Sequence, residues 1–367
     1  MTASLVRAFF CAYVLSTTIA DAVHKKPLHE NAWKAVCKLS AALAQATGAA
    51  KQALSDNTVK WEKAASMALR IQVVASTKDD VTQRLAYKVV SGYINKKAQD
   101  LLNKQLTTDV PKALENARTT GIAEGHIDEF LKIAIAVVNS NTDGCLAVSN
   151  GASNVKTNVD DLSTTEPACK KLQGTPTPTI ATAEHITDQG YAKFSSTLTG
   201  EVAGTTERNC RLLTLEASES YVGHASPTGT PRFAGGNNGP TGVDLTNMET
   251  KSGDTSVKVH YDAWQAIKSM PARESEIKLV PLAVLRNDIQ FQSVFKELFG
   301  AAAGESQQAT ASRVDQIYGK DEQNFTKTYW NDVNEYTLKQ KVGAEAEGDR
   351  FRYTIEAQRL DGDSERV

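Results

Sequence analysis

Apolar residues from position 33 to about position 77 recur at spacings of three, four and seven, with almost no helix breaker between them. This periodicity predicts one amphipathic helix that carries a heptad-like apolar stripe. The stripe consists of Trp33, Val36, Leu43, Ala50, Leu54, Trp61, Ala64 and Ile71. Because a helix of about 45 residues is about 70 Å long, we expect it to need a packing partner along its length.

A second periodic run follows and supplies that partner. Segment 76–80 interrupts the first stripe with polar residues and resembles a turn followed by an N-cap acid. The next apolar face contains Tyr87, Val90, Ile94, Ala98, Leu101 and Leu102. Two long helices joined by a short polar turn predict an antiparallel hairpin.

Helical patterns return at three further places. The second run weakens at 107–111, and Pro111 suits the start of a helix that we expect to reach about Val138. Another is predicted near Ile289 to Phe299, with Gly300 as its C-terminal cap, and a third near Asp321 to Lys341. Their predicted buried residues include Ile127, Phe130, Leu131, Ala134 and Val138 in the first, and Phe325, Tyr329, Val333 and Tyr336 in the last.

The sequence changes character between Cys145 and about Gly253, where Gly, Thr, Ser, Asn and Pro are abundant. This composition predicts a loop-rich lobe with little repetitive structure. Short strands are predicted at Leu213 to Leu215 and at Val257 to Tyr261, the latter from its period-two alternation. The glycine cluster at 235–239 lacks the context of a phosphate-binding loop, which favours a surface turn.

The amino terminus is typical of a secretory signal at residues 1–22. Arg7 precedes an apolar centre at 8–15, and Ala20-Asp21-Ala22 supplies a cleavage site. The apolar stretch is too short to span a bilayer. Cleavage would remove Cys11 and leave an even number of cysteines for an oxidising compartment, which predicts two disulfides in one of three connectivities. The remaining cysteines are Cys37, Cys145, Cys169 and Cys210.

Catalytic and ligand-binding patterns are scarce along the chain. A net charge of -2 offers no electrostatic case for nucleic-acid binding. The nucleophile-elbow, zinc-protease, Walker and Rossmann motifs are missing, and no C-x-x-C pair indicates zinc or thioredoxin-type chemistry. Asp79-Asp80 and Asp128-Glu129 are adjacent acids that do not face each other on a helix. We therefore expect no enzymatic activity, no cofactor and no metal. The histidines, His24, His29, His126, His185, His224 and His260, are expected to be surface or hydrogen-bonded residues.

One N-x-S/T sequon is present, Asn324-Phe325-Thr326. Secretion favours glycosylation of Asn324, and the alternative is a chance match at a helix start. A glycan there would require Asn324 to face solvent while Phe325 packs inward.

Several features occur in a recognisable order. A long Ala-rich hairpin is combined with W-x-x-V-C-K-L-S at 33–40, G-H-I-D-E-F-L at 125–131, Gly-Cys at 144–145, C-K-K-L at 169–172 and N-C-R-L at 209–212. Together they resemble the N-terminal domain of a trypanosome variant surface glycoprotein of the class A type, over residues 23 to about 360.

The resemblance implies the disulfides Cys37–Cys169 and Cys145–Cys210. It also implies a mainly α fold: a long antiparallel helical hairpin and coiled-coil bundle, dimeric, with a loop-rich head lobe that contains short β-strands. The expected organisation is a hairpin at 23–110, a helix and head at 111–260, returning helices at 261–360 and the start of a linker at 361–367. The implied role is a dense protective coat that evades immunity by antigenic variation, with a homodimer, host antibodies at the head loops and a glycosylphosphatidylinositol anchor.

The chain departs from the full family pattern after residue 367. A complete member continues into a cysteine-rich domain and an apolar anchor signal, so we expect either a fragment or a truncated member. A receptor or serum-resistance protein on the same scaffold is the alternative function. A secreted enzyme whose site is not visible in one sequence is a third.

Overall fold

A computed structural model describes residues 27–149, 154–169, 185–192, 208–210 and 245–337. Four predicted features lie outside these residues: the signal peptide at 1–22, the strand at 213–215, the glycine cluster at 235–239 and the linker at 361–367.

The predicted hairpin is confirmed. Helix α1 spans Glu30–Ser76, a length of 47 residues, and helix α2 spans Val81–Lys104. Asp80 caps α2 because its Oδ1 accepts a hydrogen bond of 2.6 Å from the backbone N–H of Gln83. The hydroxyl of Ser91 donates to the carbonyl of Ala68 at 2.7 Å, as expected for two helices that run antiparallel from a short turn.

Helix α3 follows α2 without an intervening loop. A π-helical turn, Gln105–Asp109, leads directly into α3, Val110–Ala136. Pro111 lies in the first turn, where its missing N–H leaves no hydrogen bond unmade, so the predicted helix start is confirmed.

The remaining α-helices of the described residues are short. They are α4 (Val159–Thr165), α5 (Lys258–Lys268), α6 (Leu282–Leu285), α7 (Ile289–Phe299), α8 (Gln307–Tyr318), α9 (Glu322–Thr326) and α10 (Asp332–Glu335). Helix α7 has the predicted bounds, and Gly300 follows it at a φ of 75°. The third predicted helix is divided: a π-helical turn, Lys327–Asn331, separates α9 from α10, and α10 ends at Glu335.

The strand predicted at Val257 to Tyr261 is wrong. A 3₁₀ turn, Thr255–Val257, leads into helix α5 at this place. An alternation over five residues cannot exclude a helix. Over 257–264 the buried residues recur at helical spacing, namely Val257, His260, Ala263 and Trp264. The described ranges contain no β-strand, only isolated bridges such as the parallel one between Leu28 and Leu146.

The chain forms two compact units. Unit 1 comprises Met1–Ala53 and Asp109–Pro271, and unit 2 comprises Leu54–Thr108 and Ala272–Val367. The largest buried side chains of unit 1 include Trp33, Leu39, Phe130, Tyr191 and Trp264. Unit 2 is built around an aromatic cluster of Tyr87, Phe291, Phe295, Tyr318, Phe325 and Tyr329.

Candidate functional site

Cys37 and Cys169 form one disulfide in the core of unit 1. Their Cα atoms are 5.0 Å apart although 132 positions separate them in sequence, and both side chains are buried. Cys37 lies in the early turns of α1. Cys169 follows α4, where its backbone N–H donates to the carbonyl of Glu166 at 2.9 Å. The carboxylate of Glu166 also pairs with Lys38 at 3.6 Å, so an ion pair lies beside the covalent bond.

Cys145 and Cys210 form the second disulfide, with Cα atoms 4.7 Å apart across 65 positions. Hydrogen bonds hold the backbone on both sides of this bond. The carbonyl of Cys145 accepts from the N–H of Leu28 at 2.7 Å, and the N–H of Gly144 donates to the carbonyl of Arg208 at 2.8 Å. The two disulfides have the pairing that the family resemblance implies.

Trp33, the first apolar residue of the predicted stripe, anchors the amino-terminal end of α1. It is fully buried, and its indole Nε1–H donates to the carbonyl of Ala147 at 2.8 Å. The N–H of Ala147 in turn donates to the carbonyl of Leu28. The sequence pattern indicated the burial of Trp33 but carried no signal for Ala147, which lies 114 positions away.

Among the histidines that the structure describes, His260 has the most unusual surroundings. It lies on α5, has no exposed surface, and its ring meets that of Tyr191 edge-on at a centroid distance of 5.7 Å. The hydroxyl of Tyr191 donates to the carbonyl of His260 at 2.8 Å. Burial lowers the pKa of His260 from 6.5 to about 4, and the nearby His126 on α3 contributes to the same shift. Burial also raises the pKa of Tyr191. Both groups therefore stay neutral near pH 7.

Two other titratable residues singled out in the sequence, His29 and Asp128, accept hydrogen bonds. The backbone N–H of Asn31 donates to Nδ1 of His29 at 3.1 Å, and the hydroxyl of Ser40 donates to Asp128 at 2.6 Å. His126 and His185 are half-buried, while His24 and His224 lie outside the described ranges. Over the part of the chain that the structure describes, no group of three His, Cys, Asp or Glu residues could hold a metal ion.

The sequon occupies helix α9. Asn324 is exposed, whereas Phe325 is 1% exposed and packs against Tyr318 and Tyr329. The helix thus presents the asparagine to solvent and the phenylalanine to the core of unit 2, which is the arrangement that a glycan requires.

Within the described ranges, the structure contains no helix both long and apolar enough to cross a bilayer. The long helices carry narrow stripes of small and aliphatic residues in place of continuous apolar surfaces.

Long paired helices, two disulfides and an exposed sequon are typical of a helical extracellular glycoprotein. The family model for trypanosome variant surface glycoprotein (A-type) matches residues 8–352. The chain therefore belongs to the A-type trypanosome variant surface glycoproteins.

Curated relatives and a solved structure agree with this assignment. Variant surface glycoprotein MITAT 1.1 of Trypanosoma brucei brucei is 22% identical over 339 residues, which cover 87% of this chain and 66% of that protein. Variant surface glycoprotein MITAT 1.2 of the same organism is 24% identical over 41% of this chain and 32% of its own length. This chain thus spans less than two thirds of the length of these relatives. The solved structure of MITat 1.1 superimposes with a TM-score of 0.65 at 19% identity, covering 86% of this chain and 88% of that one, and so shows the same fold.

Proposed function

We propose that this chain is the N-terminal domain of a surface coat glycoprotein that protects a trypanosome and evades immunity by antigenic variation. The observation that carries this proposal is the A-type family match over residues 8–352. The fold is compatible with it. The helices pack through narrow seams of alanine and other small residues, so the packing requires only an apolar pattern along these seams. Residues outside the seams can therefore change without loss of the fold. In this proposal the domain has no enzymatic activity, needs no cofactor and binds no nucleic acid.

The organisation that we propose follows the family. Residues 1–22 are a signal peptide that is removed, residues 23–360 form the N-terminal domain, and residues 361–367 begin a linker. The full-length protein forms a homodimer on the extracellular face of the plasma membrane, held by a glycosylphosphatidylinositol anchor. Host antibodies reach the distal loops of the head lobe.

Abundance at the cell surface tests the coat function. In trypanosomes that express this protein, surface biotinylation followed by quantitative mass spectrometry should find it as the dominant surface species, and phospholipase treatment should release it. The alternative receptor function predicts a scarce protein that retains one serum protein on an affinity column. Scarcity combined with saturable retention of a single host protein would replace the coat proposal.

Glycosylation of Asn324 is part of the proposal and is supported by its exposure on α9. Asn324→Gln should abolish the mobility shift that an endoglycosidase produces in the secreted or surface protein. Thr326→Ser keeps a sequon and should preserve the shift, while Thr326→Ala should remove it. An unchanged shift in Asn324→Gln would show that no glycan is attached there.

A further inference from the structure

A buried layer of small and polar residues lies between α1 and α3 in unit 1. The apolar cluster of this unit includes residues of α1 up to Leu43 and residues of α3 from Ala123 onward. Beyond these two positions the buried side chains change character. Seven of them, together with the half-buried Thr47, form what we call the Asn116 layer: Ala46, Ala50, Ala53, Ala113, Asn116, Thr119 and Thr120.

Two side-chain hydrogen bonds define how α1 and α3 align at this layer. Ser40 bonds to Asp128 at 2.6 Å, and Thr47 bonds to Thr120 at 2.8 Å. From Ser40 to Thr47 the chain advances seven positions along α1, while from Asp128 to Thr120 it goes back eight positions along α3. The two helices therefore run antiparallel here. Continuing this register by one turn brings Asn116 level with Ala50, whose methyl group offers no hydrogen bond.

The side chain of Asn116 is fully buried, and neither its Oδ1 nor its Nδ2 has a hydrogen-bond partner among the described residues. The threonines of the next turn are occupied with the backbone: Thr120 donates to the carbonyl of Asn116 at 2.6 Å, and Thr119 donates to the carbonyl of Glu115 at 2.8 Å. Proteins seldom leave both atoms of a buried amide without partners, and ordered water commonly supplies the missing bonds.

We propose that the Asn116 layer is an internal hydration site, and that its polar contacts fix the register of α1 against α3. The ligand is ordered water that donates to Oδ1 and accepts from Nδ2 of Asn116, with the hydroxyls of Thr47 and Thr120 as further partners. The alanine-rich seam alone discriminates poorly between registers, because a shift of α1 by four positions replaces Ala46, Ala50 and Ala53 with Ala42, Ala46 and Ala49. The same shift would place Leu43 opposite Thr120 and would break the polar layer.

A crystal structure of the unmodified chain at about 1.5 Å resolution tests the hydration site. We expect water density within hydrogen-bonding distance of both Oδ1 and Nδ2 of Asn116. Absence of such density would overturn this part of the proposal, as would a direct bond from the amide to a protein group.

The register part is tested with the triple variant Thr47→Val/Asn116→Leu/Thr120→Val, which makes the layer apolar at similar volume. We expect an unfolding midpoint in urea no lower than that of the original protein, but more than one set of amide NMR signals for α1 and α3. Asn103→Leu, an exposed position on α2, is the control and should give a single set. A single set from the triple variant would show that the polar layer does not fix the register. If the triple variant does not fold, the single variant Asn116→Leu carries the same test.

Discussion

At the scale of single residues, the most consequential side chain is His260. A neutral imidazole at this position is compatible with the close packing of α5 against α3. An imidazolium would be destabilised there, because it would lose its hydration inside the core. Tyr191 covers the ring but offers it no compensating negative charge, since its neutral hydroxyl donates to the backbone carbonyl of His260. Burial therefore strongly disfavours the charged form of His260, and this matters below pH 7, whereas the buried Tyr191 stays neutral throughout that range.

Acid should destabilise unit 1 through His260. The folded-state pKa of about 4 lies below the ordinary value of 6.5, so the stabilisation is complete above pH 6.5 and is lost as the pH falls toward 4. The full loss corresponds to about 3 kcal/mol of unfolding free energy. Urea unfolding between pH 7.5 and 4.5 should show the unfolding free energy falling with pH, and His260→Gln should flatten this slope.

His126→Asn is the comparison for this experiment. It removes only the smaller cause of the pKa shift, so it should flatten the slope less than His260→Gln does. Equal slopes in the original protein and in His260→Gln would contradict the assignment.

At the scale of elements, helices α2 and α7 approach each other closely at Gly92. A Cβ atom on this residue would lie 2.7 Å from Cγ1 of Val294, a β-branched side chain with little rotamer freedom. The T-shaped pair of Tyr93 and Phe291, with centroids 5.6 Å apart, lies on the same seam. Gly121 on α3 offers the opposite case, since a Cβ atom on it would meet nothing within 4 Å.

These two glycines make a matched pair of variants. Gly92→Ala should destabilise unit 2 by about 1 to 2 kcal/mol, because overpacking outweighs the gain in helix propensity. Gly121→Ala should stabilise by about 0.5 to 1 kcal/mol, because only the propensity changes. Urea unfolding of both variants checks the difference in sign, and a stabilised Gly92→Ala would contradict the close packing.

An extended segment between α5 and α6 is held against the long helices by Asn57. This fully buried residue donates from Nδ2 to the carbonyl of Ala272 at 3.0 Å and accepts from the N–H of Glu274 at 2.8 Å. The segment carries two trypsin sites, Arg273, which pairs with Asp56 at 3.1 Å, and Lys278.

Removing the Asn57 side chain should release this segment. Asn57→Ala should lower the unfolding free energy by about 2 kcal/mol, because two backbone groups lose their partners. Limited trypsin digestion with mass mapping should then cut faster at Arg273 and Lys278 than in the original protein. Asn103→Ala, at an exposed position, should leave the digestion rate unchanged, and equal rates in both variants would contradict the role of Asn57.

At the scale of the whole molecule, covalent stabilisation is confined to unit 1. Every cysteine of the chain lies in the residues of unit 1, so unit 2 relies on packing of its aromatic cluster. In that cluster the rings of Tyr318 and Tyr329 have centroids 5.1 Å apart, and the hydroxyl of Tyr318 donates to the carbonyl of Ala86 at 2.8 Å. The two units therefore reach stability by different physical means.

Removal of the disulfides should affect the units unequally. The chain-entropy model gives about 5 kcal/mol for Cys37–Cys169 and about 4 kcal/mol for Cys145–Cys210, since the first closes the longer loop. Hydrogen exchange of Cys37→Ala/Cys169→Ala should show loss of protection in α5, with smaller changes in α7. The variant Cys145→Ala/Cys210→Ala should likewise lose more protection in α5 than in α7. Loss of protection in α7 equal to that in α5 would contradict this division.

The sequence by itself determined the long helices, the turn that joins α1 to α2 and the bounds of α7. These features depend on contacts between residues three or four positions apart and on caps such as Asp80 and Gly300, which a single sequence displays directly. The exposure of Asn324 opposite Phe325 follows from the same helical geometry.

Only the tertiary structure decided that Thr255 begins a helical stretch, that His260 is buried and that the side-chain amide of Asn116 has no hydrogen-bond partner among the described residues. Each depends on residues that are far away in the chain: Tyr191 meets His260 across 69 positions, and Trp33 meets Ala147 across 114. Local periodicity reports which face of an element is buried, but the atoms that cover this face come from other elements. Their polarity decides whether a buried group is charged, bonded or hydrated.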